Sequence, residues 1–405
     1  MINIAVLGYG TVGSGVVEVI KTNQEIVNKK SGQDINIKYV LDLREFPGDS
    51  VMDILVHDYD IILNDPEVEV IAEVMGGIEP AYTFVKSALE KGKSVCTSNK
   101  ELVAKHGPEL IKIAREHNRN FLFEASVGGG IPIIRPLNEC ITADDINSIT
   151  GILNGTTNFI LTKMCKEGLE FDTVLKEAQD LGYAERNPSA DVDGFDACRK
   201  IAILASLAYG KNVDFEDIYT EGITKITDID FKYANKINHS VKLFGEAKKV
   251  NGEIYAYVAP VMIDNSNPLF SVDGVFNGIL VNGNVLGDVM FYGSGAGKLP
   301  TASAVVSDIV AAVKYLNTSS EIVWSEEKLE LADIKKSEKK FFVRVQGNVT
   351  DKLEQIENVF GKVEVIEAEG VKDEFAFITE VMSEQKYEDN ADKVQGIITR
   401  IRMGN

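Results

Sequence analysis

The feature that most limits what this chain can fold into stands at its start. Residues 2–7, Ile-Asn-Ile-Ala-Val-Leu, have the apolar pattern of a short buried strand. Gly8-Tyr9-Gly10-Thr11-Val12-Gly13 follows at once and opens an apolar-periodic stretch through Val16, Val17 and Ile20. A Gly-x-Gly-x-x-Gly turn lets the backbone approach a pyrophosphate without Cβ clashes, and the helix behind it presents unpaired N–H groups and the positive end of its dipole. In a chain with 34 glycines the pattern alone is weak. Its placement at the first strand-to-helix turn makes Gly8, Gly10 and Gly13 candidates for binding a dinucleotide. Further strands fit 37–43, 68–74, Ser94–Thr97 and 120–125, with helical patterns at 80–91 and 108–117. Strands alternating with helices predict an α/β, Rossmann-type doubly wound parallel sheet over residues 1–135.

After Glu124-Ala-Ser-Val-Gly-Gly-Gly-Ile-Pro the rhythm changes. Longer helices fit 156–167, 171–181 and 194–209, and strand-like segments fit 253–263 and 272–292. Asn282-Gly283 is a type I′ hairpin signal. These segments describe a second, α+β domain over 136–318. Charged residues crowd 325–340, so a linker is expected at 319–338. The apolar segment 341–345 then restarts a βαββαβ-like pattern that ends in Ile397–Met403, which predicts a third domain over 339–405.

Charge narrows the partners. Lys and Arg total 42 against 62 Asp and Glu, and a net charge of −20 argues against nucleic acid or an anionic membrane as the partner. The N-terminus lacks a basic leader pattern and no apolar run approaches membrane-spanning length, so a cytoplasmic location is expected. Cys96, Cys140, Cys165 and Cys198 stand far apart, as do His57, His106, His117 and His239, which indicates neither a disulfide framework nor a zinc site.

Two places carry chemistry besides the glycine turn. At the end of the second strand, Asp42 would accept from a ribose 2′-hydroxyl and favour NAD, whereas Arg44 would bind a 2′-phosphate and favour NADP. In the segment 178–200, Asp193 is a plausible helix N-cap, and Asp196 and Lys200, four residues apart, share a helix face. The same spacing describes a routine surface ion pair. Against that, Glu185, Asp191, Asp193 and Asp196 gather ahead of one lysine.

The segment 178–200 resembles the signature of homoserine dehydrogenase: Ala178, Gly182-Tyr183-Ala184, Asn187-Pro188, Asp191-Val192, Gly194, Asp196 and Lys200. Thr97-Ser-Asn-Lys-Glu-Leu-Val-Ala104, Glu124-Ala-Ser-Val-Gly-Gly-Gly-Ile-Pro132, Gly151-Ile-Leu-Asn-Gly-Thr-Thr-Asn158 and Gly293-Ser-Gly-Ala-Gly-Lys-Leu-Pro-Thr-Ala-Ser303 agree with it in the family's order. The resemblance implies NAD(P)-dependent interconversion of L-homoserine and L-aspartate 4-semialdehyde, on the route to threonine and methionine. It implies Lys200 as general acid/base, Asp196 as the carboxylate holding it, Asp191 as a second acid and Lys100 as a lysine near both nicotinamide and substrate. Glu185, Gly182, Tyr183, Thr156 and Asp196 would line the substrate pocket. Thr11 and Val12 would complete the cofactor turn, with Gly297 approaching from the far end of the second domain. A monovalent cation, usually sodium in the family, would be held at Glu124, Val127, Gly129 and Ile131, largely by backbone carbonyls. The resemblance makes the α+β domain at 136–318 the catalytic and dimerisation domain, its last helix returning to the nucleotide domain, and the family pairs its subunits through a shared sheet, so a homodimer or larger assembly is expected.

Residues 339–405 resemble an ACT regulatory domain in strand and helix order. Where that domain has Asp-x-Pro-Gly, this chain has Gly347-Asn-Val-Thr-Asp351. An amino-acid effector would bind there, and the segment would be dispensable for chemistry. Two rival readings remain at this point. One is a non-catalytic nucleotide or amino-acid sensor, opposed by the presence of Lys200 and Asp196. The other is a phosphorylating semialdehyde dehydrogenase, which needs a cysteine near a histidine.

Overall fold

A computed structural model describes residues 1–319 and 321–404. Ser320, within the expected 319–338 linker, and Asn405, the last residue of the expected 339–405 domain, lie outside the described residues. The chain divides into two compact units, Met1–Asp144 with Ala202–Phe215 and Gly293–Leu329, and Asp145–Ile201 with Glu216–Tyr292 and Glu330–Asn405.

The first unit is built on a six-stranded sheet in the order Leu55–Val56, Ile35–Leu41, Ile2–Leu7, Val68–Glu73, Ser94–Thr97, Phe121–Leu122, every pair parallel. In chain order this is 3-2-1-4-5-6, the doubly wound arrangement predicted. Its direction of winding reverses between Ile2–Leu7 and Val68–Glu73, and such sheets bind ligands at the carboxyl ends of the strands beside that reversal. The glycine turn leaves the sheet there. Helix Thr11–Thr22 buries Val16, Val17 and Ile20 in a core completed by Val305, Ile309, Ala312 and Val313 of helix Lys298–Lys314. The two helices approach so closely that a Cβ on Gly15 would lie 2.8 Å from the Lys298 carbonyl oxygen.

Two sequence expectations shift in this unit. The helix expected from Pro108 begins at Lys100 and runs to Glu116, with the Asn99 side chain accepting from the Leu102 amide at 3.1 Å. Pro108 sits inside it. The lost N–H is tolerated because Leu102, Val103, Leu110, Ile111 and Ala114 bury one face. The strand expected at 120–125 is only Phe121–Leu122, because Glu124 begins a short 3₁₀ turn and its amide donates to Asp308 at 2.8 Å.

The second unit carries a ten-stranded sheet. One path through it runs Gly287–Ser294, Phe276–Gly283, Ile146–Ile152, His239–Val250, Glu253–Asp264, Ile397–Met403, Phe341–Gln346, Glu374–Ile378 and Glu364–Ile366, with Tyr219–Thr220 joining Glu253–Asp264 off that path. The C-terminal segment has the expected βαββαβ order, including helices Val349–Phe360 and Glu384–Ala391. Its strand Ile397–Met403 pairs with Glu253–Asp264 at Val261 and Met262, so the segment continues the central sheet. Buried charges bind it further. Arg344, 3% exposed, donates to Asp230, fully buried, at 2.8 Å and to Glu374 at 2.9 Å.

The hairpin expected at Asn282-Gly283 turns later. Asn282 and Gly283 still pair with Ser148 and Ile146, which keeps them in the strand, and the reversal falls on 284–286 before Gly287 at φ 77°. Asp193 does not cap the lysine helix. It ends the short helix Ser189–Val192, and Phe195–Tyr209 starts after Gly194 at φ 88°.

Candidate active site

Each unit carries its own set of candidate functional side chains. In the first, Gly8 has φ 96°, a conformation that favours glycine, and a Cβ on Gly13 would lie 1.9 Å from the Gly8 carbonyl oxygen. Gly10 is different, since a Cβ there would meet nothing within 4 Å. The protein itself therefore does not require glycine at 10, whereas a ligand resting on the turn would. Gly10 stands at the N-cap of the helix that begins with Thr11 and Val12, and no side-chain hydrogen bond caps it, which suits an anion at the helix start.

Beside the turn, Gly8, Gly10, Asp42, Arg44, Tyr59 and Phe84 help line a cleft of about 460 Å³. The Asp42 carboxylate accepts from the Tyr9 amide at 2.8 Å and from Arg44 at 2.9 and 3.0 Å. The Arg44 guanidinium holds that carboxyl well below the usual range. Tyr59 and Phe84 stack at 4.0 Å and 16°, an apolar wall that sequence periodicity did not single out. Gly297, at φ 117°, precedes helix Lys298–Lys314 in this same unit.

Lys100 opens its helix from a turn fixed by a buried relay. Thr97 Oγ1 donates to Glu73 at 2.5 Å and accepts from the Asn99 amide at 2.9 Å, and Asn99 caps the helix. Burial pushes the Glu73 carboxyl up. Neither Glu73 nor Asn99 was marked by its residue type.

The loop expected to hold a cation is also in this unit. The Glu124 carboxylate accepts the amides of Ile133, Ile134 and Arg135 at 2.6, 2.7 and 2.9 Å, so the side chain is occupied by its own chain. Burial and the neighbouring charge of Glu124 push the Asp308 carboxyl up to about 8. Val127 and Ile131 are buried, and a Cβ on Gly129 would lie 2.3 Å from the Gly295 carbonyl oxygen. Among the described residues, no group of three or more His, Cys, Asp or Glu side chains is arranged to hold a metal ion. No helix among them is long and apolar enough to cross a membrane.

In the second unit the structure brings Lys200, Asp196 and Asp191 together. Lys200 Nζ lies 2.9 Å from Asp196 Oδ2 and donates to the Leu153 carbonyl oxygen at 2.7 Å. The side chains are only 10% and 4% exposed, which removes this pair from the class of solvated surface ion pairs. Asn154 Nδ2 donates to Asp196 Oδ2 at 2.8 Å and to Asp191 Oδ1 at 2.7 Å, while Asn154 Oδ1 caps helix Gly155–Glu167 through the Thr157 amide. Asn154 thus joins the two acids. Its place in the block Gly151–Asn158 was the signal the sequence held, and that block assigned Asn154 no role.

Thr156 Oγ1 donates to the Tyr183 carbonyl oxygen at 2.6 Å, and the Tyr183 ring meets Phe159 at 5.1 Å. Gly182, Tyr183 and Glu185 form an exposed loop after helix Phe171–Asp180, with Gln179 donating to the Glu185 carbonyl oxygen at 3.1 Å.

A parallel sheet wound 3-2-1-4-5-6 with an open glycine turn at its reversal, together with a buried lysine aimed by a carboxylate, defines a nucleotide-dependent oxidoreductase. Comparison with known proteins makes this particular. A family model described as "Homoserine dehydrogenase" matches residues 132–310, and one described as "Homoserine dehydrogenase, NAD binding domain" matches 8–124. The homoserine dehydrogenase of Bacillus subtilis is 45% identical over 318 residues, covering 78% of this chain and 73% of that protein. That of Mycobacterium bovis is 35% identical over 99% of this chain and 97% of its own. The crystal structure of a homoserine dehydrogenase from Thiobacillus denitrificans covers 100% of this chain and 98% of its own at a TM-score of 0.90 and 33% identity. A hyperthermophilic archaeal homoserine dehydrogenase in complex with NADPH covers 77% of this chain and 97% of its own, at 31% identity and a TM-score of 0.65. The chain belongs to the homoserine dehydrogenase family, whose reaction interconverts L-homoserine and L-aspartate 4-semialdehyde.

Proposed function

We propose that this chain oxidises and reduces the homoserine/semialdehyde pair with Lys200 as the general acid/base. The observation that carries this reading is the buried Lys200 ammonium, aimed by Asp196 and the Leu153 carbonyl. In reduction the ammonium would protonate the forming alkoxide, and in oxidation the amine would take the hydroxyl proton. Asp191, held with Asp196 by Asn154, fits the second acid, and Lys100 fits a lysine serving cofactor and substrate. Glu185 would meet the substrate ammonium, with Gly182, Tyr183 and Thr156 beside it. A bound NAD or NADP would supply hydride transfer. The glycine turn, Thr11, Val12, Asp42, Arg44 and Gly297 would hold it, and the open space over Gly10 fits a pyrophosphate. Asp42 fits NAD and Arg44 fits NADP.

An assay with L-homoserine and each nicotinamide, following the reduced cofactor, tests the reading. Turnover is expected to rise at alkaline pH because oxidation releases a proton, and no turnover with either cofactor refutes it. A monovalent cation, sodium by resemblance, would rest on the carbonyls of Glu124, Val127, Gly129 and Ile131, since the Glu124 carboxylate is occupied and carbonyl oxygens suit a hard ion. Replacing sodium by tetramethylammonium at equal ionic strength is expected to lower activity.

Gly10→Val should leave the fold intact, because nothing lies within 4 Å of the new Cβ, while abolishing cofactor binding. Gly13→Ala should instead destabilise the fold, since its Cβ would strike the Gly8 carbonyl. Fluorescence titration of the cofactor and thermal unfolding of both variants check this, and normal cofactor binding by a folded Gly10→Val refutes it.

For the expected assembly, strand Gly287–Ser294 lies at one end of its sheet, with Tyr292 and Phe276 55% and 40% exposed. An apolar edge of this kind is a pairing surface. Light scattering should give at least twice the 44.4 kDa chain mass. We assign residues 1–135 to nucleotide binding, 136–318 to catalysis and dimerisation, 319–338 to a linker and 339–405 to an ACT-like regulatory segment taking an amino-acid effector.

A further inference from the structure

Two neighbouring strands of the first unit end on a pair of buried polar side chains. Glu73 closes Val68–Glu73, Thr97 closes Ser94–Thr97, and the two stand opposite each other in the parallel register. Both are fully buried. They lie at the carboxyl ends of their strands, where a sheet of this winding takes its ligand.

A carboxylate in the core at that place needs donors. Glu73 Oε1 accepts from the Met75 amide at 2.8 Å, and Oε2 accepts from Thr97 Oγ1. A hydroxyl has one proton, so a Thr97 that gives it to Glu73 turns its lone pairs elsewhere, and there it accepts the Asn99 amide at 2.9 Å. The Asn99 side chain is then held at both of its ends. Its Nδ2 donates to the Gly77 carbonyl oxygen, and its Oδ1 accepts from the Leu102 amide at 3.1 Å. Lys100 is the next residue.

The other branch reaches the glycine turn. The Val74 amide donates to the Leu7 carbonyl oxygen at 3.0 Å, and a Cβ on Gly8 would lie 3.1 Å from Met75 Cγ, so residues 74–75 pack against the turn itself. Gly76 and Gly77, at φ 86° and 74°, bend the chain so that Met75 meets Glu73 and Gly77 meets Asn99. One carboxylate therefore ties the wall of the glycine turn to the start of the lysine helix. An Asn N-cap alone satisfies the Leu102 amide, so the helix needs no buried charge beneath it. Burying one costs stability and fixes both groups in a single arrangement before a ligand arrives.

We propose that Glu73 is a positioning residue of the reaction, which acts through Thr97 and Asn99 to set the start of the Lys100 helix, and with it the Lys100 ammonium, against a nicotinamide cofactor lying on the glycine turn. The inference rests on the reading above that gives Lys100 a part in cofactor and substrate binding, and it names what holds that lysine in place.

A double-mutant cycle in the full chain tests it, read both in kcat and in the cofactor Kd from fluorescence titration of the protein without substrate. Thr97→Val keeps the shape and removes the hydroxyl, and Thr97→Ser keeps the hydroxyl. Thr97→Val is expected to lower kcat by about tenfold or more, the scale of a small misplacement, and to weaken cofactor binding by a smaller factor. Thr97→Ser should stay near the parent chain in both. In a Lys100→Ala background, Thr97→Val should cost almost nothing further, because the group it misplaces is already gone. Glu73→Gln has one acceptor oxygen where the carboxylate has two. It should give a smaller loss with the same non-additivity, and it carries the test if Thr97→Val does not fold. Equal fold-losses with and without Lys100 overturn the proposal, since a merely structural relay would act on the whole site alike. A folded Thr97→Val with unchanged kcat and Kd overturns it too. A folded Lys100→Ala with unchanged kcat and Kd overturns the reading of Lys100 and this inference with it. A chain that binds cofactor but never turns over homoserine overturns the activity reading instead, and the cycle in Kd then decides the proposal by the same criterion.

Discussion

Lys200→Ala is expected to lower kcat by at least ~10²-fold, the low end for a positioned acid or base, with cofactor affinity nearly unchanged. The Lys200 ammonium is held by Asp196 at 2.9 Å and the Leu153 carbonyl at 2.7 Å, so its position is set before substrate arrives. Lys200→Arg separates charge from proton transfer. A guanidinium keeps the positive charge but does not give up its proton at working pH, so this variant should be nearly as impaired as the alanine. Asp196→Asn keeps the shape and removes the charge that orients the ammonium, and a smaller loss is expected. Steady-state kinetics with each nicotinamide read these effects, with circular dichroism confirming that each variant folds. Near-normal kcat in a folded Lys200→Ala would remove this residue from the mechanism.

What could be read in the sequence was what a residue type alone enforces. Gly8 and Gly13 are legible because one has positive φ and the other has no room for a Cβ, so any folded chain of this kind carries glycine there. Asp196 and Lys200 were visible as an i,i+4 pair, but their burial, which separates them from a solvated surface pair, was not. Asn154 shows the limit. It looks like any helix cap, and only the fold brings its amide to Asp191 and Asp196, 37 and 42 residues away in sequence. Tyr59 and Phe84 were hidden for the same reason, being ordinary core aromatics until they line the cleft beside the glycine turn. The hairpin signal at Asn282-Gly283 failed because pairing with Ser148 and Ile146 outweighed local turn preference.

Truncation after residue 318 is expected to leave a chain that does not fold stably, contrary to the dispensability that strand-and-helix order alone suggests. The first unit would lose Trp324, whose ring packs on Gly107 so closely that a Cβ there would lie 2.9 Å from it, and whose indole N–H reaches Asn212 at 3.3 Å. The second would lose the partners of one fully buried acid and two half-buried ones. Asp230 would be stripped of Arg344, Glu221 of Arg400 and Arg402, and Glu246 of Lys339. Removing one partner of a buried ion pair costs about 3–5 kcal/mol, because the remaining charge stays out of water without compensation. The Asp230–Arg344 loss alone is a large fraction of the whole stability of an ordinary domain, ~5–15 kcal/mol. The edge of Glu253–Asp264 at Val261 and Met262 would also be left unpaired and apolar, inviting aggregation. A single substitution separates charge from bulk loss. Arg344→Met in the full chain should lower the melting temperature strongly, and adding Asp230→Asn should recover part of it by removing the orphaned charge while keeping the Thr227 cap. Thermal unfolding of the three chains measures this. A soluble truncate that melts like the full-length enzyme and turns over homoserine would show that the C-terminal segment is an appendage after all, and that its buried arginines contribute nothing to the unit that binds them.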